Sequence, residues 1–198
     1  MMFSTIFGTR ILALPLVLAL GACVSFGDKA PASMLVLTAD NVMTTGVART
    51  APSTEALVIQ TPNVPRKLDT NRIPVQIDAS RIAYLKDAFW ADKPARLMQS
   101  LLVETVSAKS NKMVLHDADV GGKAARLLAG SLIEFGIDAS SNEAVVIYDA
   151  VKVIRGNATE KRRFEARKPL AAIEAVPAGA ALNSAANDVA VQIADWVS

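Results

Sequence analysis

The chain has 198 residues, of which 52% are hydrophobic and 20% charged, with a formal net charge of +2. This composition excludes a disordered polar chain, and the near-neutral charge balance gives no broad basic surface for nucleic acid. The single cysteine and single histidine, Cys23 and His116, exclude an internal disulfide and the usual zinc clusters, which need several such ligands. The length suggests one compact domain with additional segments, or at most two small domains.

The first 23 residues form a pattern typical of an exported protein. Arg10 is the only charged residue among the first 27, and it precedes the run ILALPLVLAL, which is too short to span a membrane and fits a signal-peptide core. The run leads to LGAC, ending at Cys23, and this order resembles a bacterial lipobox. We therefore expect a signal peptide at 1–22, cleavage before Cys23, and covalent diacylglycerol and N-acyl lipid on Cys23. An ordinary secretory signal, or a buried helix with a packed cysteine, is the alternative.

The residue after the cysteine bears on which membrane holds the protein. Bacterial lipoproteins retained in the inner membrane typically carry aspartate there, whereas this chain has Val24. In a double-membraned bacterium, Val24 favours the outer membrane, with the protein on its periplasmic side. Residues 23–33 are small and turn-prone and are expected to form a tether, followed by a single domain at 34–198.

The first part of this domain contains several extended segments. Met34–Asp40 and Glu55–Pro62 are apolar and are predicted as strands, with a loop between them. Arg72–Asp78 alternates between apolar and polar residues, as a strand with one covered face does. Pro74 has no amide hydrogen for the ladder, so this strand is expected at an edge or paired on one side at that point. The segment SRIAYLKDAFWAD is predicted as a further short strand leading into a turn.

Two helices are predicted from apolar stripes at helical spacing. The first begins near Asp92, which can cap free backbone amides, and Pro94 suits a first turn. Its stripe consists of Leu97, Met98, Leu101, Leu102 and Val106. The second ends the chain, with a stripe of Leu182, Ala186, Val189, Ile193 and Trp196.

Between these helices the sequence alternates over long stretches. KMVLHD is a predicted strand, and Ala125–Asp138, Ala144–Ile154 and EKRRFEARKP are predicted as an antiparallel meander. Within the first of these three, one face is expected to carry Leu127, Ala129, Ser131, Ile133, Phe135 and Ile137. The resulting order, β-β-β-α-β-β-β-β-α, predicts an α+β fold: a mostly antiparallel sheet with two helices packed on one face.

Few residues suggest chemistry. Asp149 falls at an inward position by alternation and could be a catalytic acid, although a hydrogen-bonded strand carboxylate or a bulge is commoner. His116 precedes Asp117, but no serine lies in a nucleophile motif. The segment ADVGGKAAR lacks the spacing of a phosphate-binding loop. We therefore predict no catalytic residue, metal site or cofactor besides the lipid on Cys23, and a protein that is not an enzyme.

Two features are candidates for contact with a partner or a membrane. Trp90 lies in an aromatic corner, where it is either a core residue or, if exposed, a contact for a partner or lipid. Arg162 and Arg163 belong to a basic run that also contains glutamates. That run is either a solvated strand face or a patch for phospholipid headgroups or an acidic partner.

Several segments together resemble the ABC-type transport auxiliary lipoproteins, a group that includes the Pqi-system outer-membrane lipoprotein. The first is NRIPVQIDASRIAYLKDAFWADKPARLMQSLLVETV. It is followed by LAGSLIEFGID, AVVIYDAVKVI and RRFEAR, and finally by the closing helix ALNSAANDVAVQIADWV. The resemblance covers Met34 to Val197, and only the lipidated cysteine transfers residue by residue, as Cys23.

This resemblance implies a lipid-anchored periplasmic domain without catalytic residues. Its expected partners are an ABC permease and ATPase and an MCE-type substrate-binding protein, in lipid traffic between the two membranes; a homo-oligomer is left open. A different class of function is an assembly or chaperone-like lipoprotein that binds lipopolysaccharide or an outer-membrane protein. A periplasmic hydrolase is a third alternative and would need a clustered acid–base pair.

Overall fold

Seven strands and two α-helices make up the part of the chain that the computed structural model describes, residues 33–52, 55–110, 112–119, 126–154 and 159–198. The strands are β1 (Leu57–Ile59), β2 (Arg72–Gln76), β3 (Ile82–Phe89), β4 (Val114–His116), β5 (Arg126–Asp138), β6 (Glu143–Ile154) and β7 (Glu160–Pro169). The helices are α1 (Pro94–Lys109) and α2 (Ala175–Val197). The order β-β-β-α-β-β-β-β-α agrees with the prediction, although one segment predicted as a strand before the first helix, Met34–Asp40, is not one.

The sheet is organised around β5. β6 pairs with β5 in antiparallel fashion along its length, and β7 continues the meander beside β6. On its other side, β5 pairs in parallel with β1 near its start and with β2 near its end. β4 lies parallel to β1, and β3 lies antiparallel to β2. The long pairings are antiparallel and the short ones parallel, so the predicted α+β class and single domain are confirmed, with a mixed sheet.

Both helices cover the same face of this sheet. α2 packs on β6 and β7, α1 packs on β1 and β4, and the two helices contact each other. Their buried side chains join those of the sheet in one core. The predicted stripes of both helices face this core, with Leu97 and Trp196 half-buried at its margin. Two helices packed on one face are therefore observed, and the other side of the sheet is here called the outer face.

The β5 side chains that face the core differ from the predicted ones, because the strand contains a bulge. Before the bulge, the buried residues are Leu128 and Leu132, and after it they are Phe135 and Ile137. The pairing with β6 shifts between Leu132 and Glu134, which leaves one extra residue on β5. One extra residue reverses the alternation, so the prediction was right for the second half of the strand and wrong for the first.

Two other local predictions change in detail. Lys93, not Asp92, is the N-cap residue of α1, and the Asp92 carboxylate instead accepts a hydrogen bond from the Lys93 backbone N–H at 2.7 Å. Pro94 occupies the first turn as expected. Pro74 pairs only with β3, because the pairing of β2 with β5 begins one residue later, at Val75. Pro74 lacks an amide hydrogen, and at this position β2 has no neighbouring strand on its β5 side to which an amide hydrogen would have to be donated.

The predicted strand Met34–Asp40 is not part of the sheet. Leu35 makes a single bridge to Trp90 beyond the end of β3, and the rest of the segment has no strand partner. The predicted strand at Glu55–Pro62 is confirmed as the shorter β1. The predicted signal peptide (1–22) and almost all of the predicted tether (23–33) lie outside the described residues.

Candidate attachment point and interaction surfaces

The expected attachment point, Cys23, also lies outside the described residues, which begin at Ser33. Ser33 lies ten positions after Cys23 in the chain. A fully extended chain rises by at most 3.3–3.6 Å per residue, so this connection can reach about 35 Å. Any membrane that holds a lipid on Cys23 must therefore lie within about 35 Å of Ser33.

From Ser33 the chain runs across the helices as residues 34–49, which we call the N-terminal strap; it is mostly extended and makes a turn at Thr45 and Gly46. From Met34 to Thr44 its residues alternate between exposed and half-buried. The half-buried Leu35, Leu37 and Ala39 pack against the core. A Cβ on Gly179 of α2 would lie 2.7 Å from Leu35 Cδ2, so the absence of a side chain there lets Leu35 pack closely on the helix.

Hydrogen bonds from α2 hold the middle of the strap. The Asn183 side chain accepts from the Thr38 backbone N–H at 2.8 Å. Asn187 accepts from the Asp40 N–H at 2.9 Å and donates to the Thr38 carbonyl oxygen at 2.9 Å. Neither asparagine was predicted as a contact of this segment. The only signal in the sequence is their spacing of four, which places them on one side of the helix.

The end of the strap is held by α1. The backbone N–H of Met43 donates to Glu104 Oε1 at 2.6 Å, and the Arg49 guanidinium donates to the Ser107 carbonyl oxygen. The strap therefore passes from α2 to α1 across the outside of the helical layer.

Trp90 is a core residue. Its side chain is 0% exposed, and its ring packs on Phe135 with a centroid distance of 5.2 Å. The candidate contact with a partner or lipid required an exposed Trp90, so the structure corrects that prediction in favour of the core alternative. Trp90 directly follows the end of β3, and Leu35 covers this position by forming a β-bridge to Trp90.

Arg162 and Arg163 lie on opposite faces of β7, because neighbouring residues of a strand point to opposite sides. The Arg162 guanidinium lies over the ring of Phe164, 5.2 Å from its centroid, on the side of the helices. Arg163 lies on the outer face and donates to both carboxylate oxygens of Asp149, at 2.6 and 2.9 Å. The two arginines therefore do not form one continuous patch on a single face.

Asp149 lies on the outer face, because its neighbours Tyr148 and Ala150 face the core, so the predicted inward position was wrong. Its carboxylate is ion-paired and is not placed for catalysis. Its side chain is 11% exposed, and it contacts Lys161 at 3.5 Å in addition to Arg163. Hydrogen bonding from Arg163 lowers the pKa of Asp149, and the nearby positive charges add to this effect. A lowered pKa keeps the carboxylate ionised, whereas a general acid needs a raised one. The alternative of a hydrogen-bonded strand carboxylate is the one that the geometry supports.

We expect Asp149→Asn to destabilise the fold by about 1 kcal/mol at neutral pH, since the Arg163 end of the pair is largely exposed. The pKa of Asp149 is lower in the folded chain, so the ion pair contributes above the ordinary pKa of aspartate and is lost as the pH falls through the lowered value. The difference in urea midpoint between parent and variant should therefore shrink in acid. A double-mutant cycle with Arg163→Gln is the control. A difference that does not change with pH, or strictly additive effects, would contradict the assignment.

The outer face also carries a groove of about 650 Å³. Pro74, Gly136, Val145 and Ile147 contribute its apolar lining. The charged residues of its lining are all ion-paired. Lys67 lies 2.5 Å from Glu134, and Arg167 lies 3.7 Å from Asp138. The remaining carboxylate, Asp78, lies 2.5 Å from Arg81, outside the lining. No unpaired charge in this lining therefore selects a ligand. This groove could not be predicted from the sequence, because its lining comes from separate elements.

In the described ranges, no group of three or more histidine, cysteine, aspartate or glutamate side chains is placed to hold a metal ion. Neither α1 nor α2 qualifies as a membrane-crossing helix, and no other helix occurs in the described part of the chain except short 3-10 turns.

Comparisons with known proteins identify the family. The family model described as ABC-type transport auxiliary lipoprotein component matches residues 37–194. A solved structure of a Xanthomonas campestris protein assigned to family DUF330 has a TM-score of 0.67 at 17% identity, over 83% of this chain and 94% of that one. A second structure, described as an uncharacterized protein, has a TM-score of 0.64 at 15% identity, over 76% and 97%. Comparison with curated proteins found no match.

The two solved structures show a shared fold, and the family model covers the sheet and most of both helices. The resemblance expected from the sequence is thus confirmed. The chain belongs to the family of ABC-type transport auxiliary lipoprotein components.

Proposed function

We propose that the protein is an outer-membrane-anchored periplasmic component of an ABC/MCE-type lipid transport system, and that it acts by docking or coupling rather than by catalysis. The observation that carries the proposal is the match of the family model to residues 37–194. The lipobox-like sequence ending at Cys23 supports an anchor, and Val24 supports sorting to the outer membrane.

The mechanism we propose is positional. Acyl chains on Cys23 hold the chain at the inner leaflet of the outer membrane, because two or more buried chains give stable anchoring. The connection to Ser33 keeps the domain within about 35 Å of that leaflet. A surface of the domain then meets the end of the periplasmic conduit built by the MCE-type protein, while an ABC permease and ATPase act at the inner membrane.

The proposal includes two candidate contact sites on β7, the Arg162 side chain and the outer edge of the strand. Arg162 is exposed on β7, and no second strand pairs with the other edge of β7 among the described residues. An acidic partner or an anionic headgroup could bind there, and a second copy of the chain could pair along the same edge.

The ion-paired state of Asp149 fits a non-enzymatic role.

Deletion of the gene tests the proposal. We expect the deletion to make the outer membrane permeable to detergents and large antibiotics to the same extent as deletion of the partner transporter. The double deletion should be no worse than either single one, because both proteins act in one route. Complementation with the parent chain is the control. An intact barrier in this deletion, where the transporter mutant leaks, would contradict the proposal.

A further inference from the structure

Exposed apolar side chains are concentrated on one side of the domain. The described residues include seven large hydrophobic side chains that are exposed. Four of them lie on the N-terminal strap and one in the first turn of α2. These five, which we call the apolar ridge, are Met34 (56% exposed), Val36 (53%), Val42 (65%), Val47 (55%) and Val176 (78%).

The ridge forms part of the outside of the helical layer. The alternation along the strap points Leu35 and Leu37 inward, so Met34 and Val36 point outward. Val176 lies three residues before Gly179, on the side of α2 against which Leu35 packs. Further along the strap, Val42 precedes the residue that is hydrogen-bonded to α1.

The strap carries few charges. Between residues 33 and 52 only Asp40 and Arg49 are charged, and the Arg49 guanidinium is held by the Ser107 carbonyl oxygen. Solvent-facing segments normally carry more charged side chains, and an exposed apolar surface usually marks a contact with a partner or a membrane. Because the strap has so few charged side chains, a partner or membrane can cover the ridge with little cost of desolvating charged groups.

The chain that precedes the strap indicates what covers the ridge. Met34 follows Cys23 by eleven residues, a connection that can reach at most about 40 Å. A surface that is tethered so closely meets the bilayer at a high effective concentration, so a modest apolar area is enough for lasting contact. We propose that the apolar ridge lies against the bilayer that holds the lipid on Cys23, an inference that rests on the proposed lipid attachment.

This contact fixes the orientation of the domain. The helices and strap face the bilayer, and the outer face with its groove turns away from it. The groove and the Asp149–Arg163 pair then face the periplasm, where the conduit of the proposed transport system would end.

Single engineered thiols test the contact on the full, lipidated chain. The sulfur of a lipidated Cys23 is a thioether, and the chain has no other cysteine, so Val36→Cys or Val42→Cys introduces the only free thiol. Each variant is labelled with an environment-sensitive fluorophore and reconstituted into vesicles of phosphatidylethanolamine and phosphatidylglycerol. Ala79→Cys, exposed beside the groove on the outer face, is the matched control.

On reconstitution, the probes at positions 36 and 42 should shift their emission to the blue and lose most of their quenching by aqueous iodide. They should also become quenched by nitroxide-labelled lipid, whereas the probe at position 79 should change in neither respect. Probes at 36 and 42 that stay as accessible to iodide as the control overturn the proposal. Protection from iodide without quenching by labelled lipid also overturns it, since a second copy or another protein then covers the ridge.

The parent chain separates failure of this inference from failure of its premise. A parent chain that takes up label at Cys23 refutes lipid attachment, and the ridge contact falls with it. If the parent chain takes up no label and the probes on the ridge are nevertheless accessible to iodide, the ridge contact is refuted. Lipid attachment is then not refuted.

Discussion

Replacing Trp90 with alanine should lower the free energy of unfolding by about 3–5 kcal/mol, as expected for removal of a fully buried aromatic side chain. The ring is 0% exposed and packs against Phe135, so its loss leaves a cavity beneath the helices. The loss would be measured as a shift of the urea midpoint, followed by circular dichroism. An alanine variant with an unchanged midpoint would contradict the placement of Trp90 in the core.

Trp90→Phe is the matched control for this cavity. Phenylalanine retains much of the packing against Phe135 and removes the indole N–H, which finds no hydrogen-bond partner among the residues that the structure describes. We therefore expect a smaller loss, about 1–2 kcal/mol. If Trp90 were instead a contact for lipid or a partner, Trp90→Ala would weaken binding and leave stability unchanged. The pair of variants thus distinguishes the two interpretations of the same residue.

Cys23→Ser should release the protein from the membrane and abolish its function, without changing the stability of the folded domain. Serine removes the sulfur that accepts the diacylglycerol. Each buried methylene of an acyl chain contributes about 0.8 kcal/mol to membrane binding, so the apolar ridge cannot replace two or more chains. Cell fractionation and the barrier assay measure the effect, and an unchanged thermal transition shows that the domain still folds.

Val24→Asp is the matched control, because it retains the lipid. On the sorting rule for bacterial lipoproteins, this variant should stay membrane-bound but move to the inner membrane, with a leaking outer membrane. A Cys23→Ser protein that remains in the outer-membrane fraction and restores the barrier would contradict the proposed anchor.

The helices and the order of the elements could be predicted because they depend on local periodicity. The stripe from Met98 to Val106 contains enough turns to fix the face of α1, and β7 buries Phe164 and Ala166 between charged neighbours in regular alternation. The facing of the first half of β5 could not be predicted. Its bulge near Ile133 depends on pairing with β6, and a single extra residue inverts every side chain on one side of it.

The N-terminal strap shows a different limit. The apolar segment Met34–Asp40 was predicted as a strand, and its backbone is extended with one half-buried side, but it has no place in the sheet. Its composition does not show what covers that side, which here is α2 with Gly179 and two asparagines. Trp90 was ambiguous for a similar reason, because its burial depends on Phe135, 45 residues further along the chain.

The candidate sites also differ in whether their residues are neighbours in the sequence. The lipobox-like sequence that ends at Cys23 is contiguous, so this resemblance, on which the proposed lipid attachment rests, can be found in the sequence. The outer-face groove brings together Lys67, Glu134 and Arg167 from distant parts of the chain. Residues of that kind carry no local signal, so only the fold assembles them.

The proposed anchor is tested by the mass of the mature N-terminus, determined on protein from isolated outer membranes. We predict a chain that begins at Cys23 and carries the mass of a diacylglycerol and one further acyl group. A mature protein with an unmodified Cys23, or one cleaved at another residue, would show that the proposed lipid attachment is wrong.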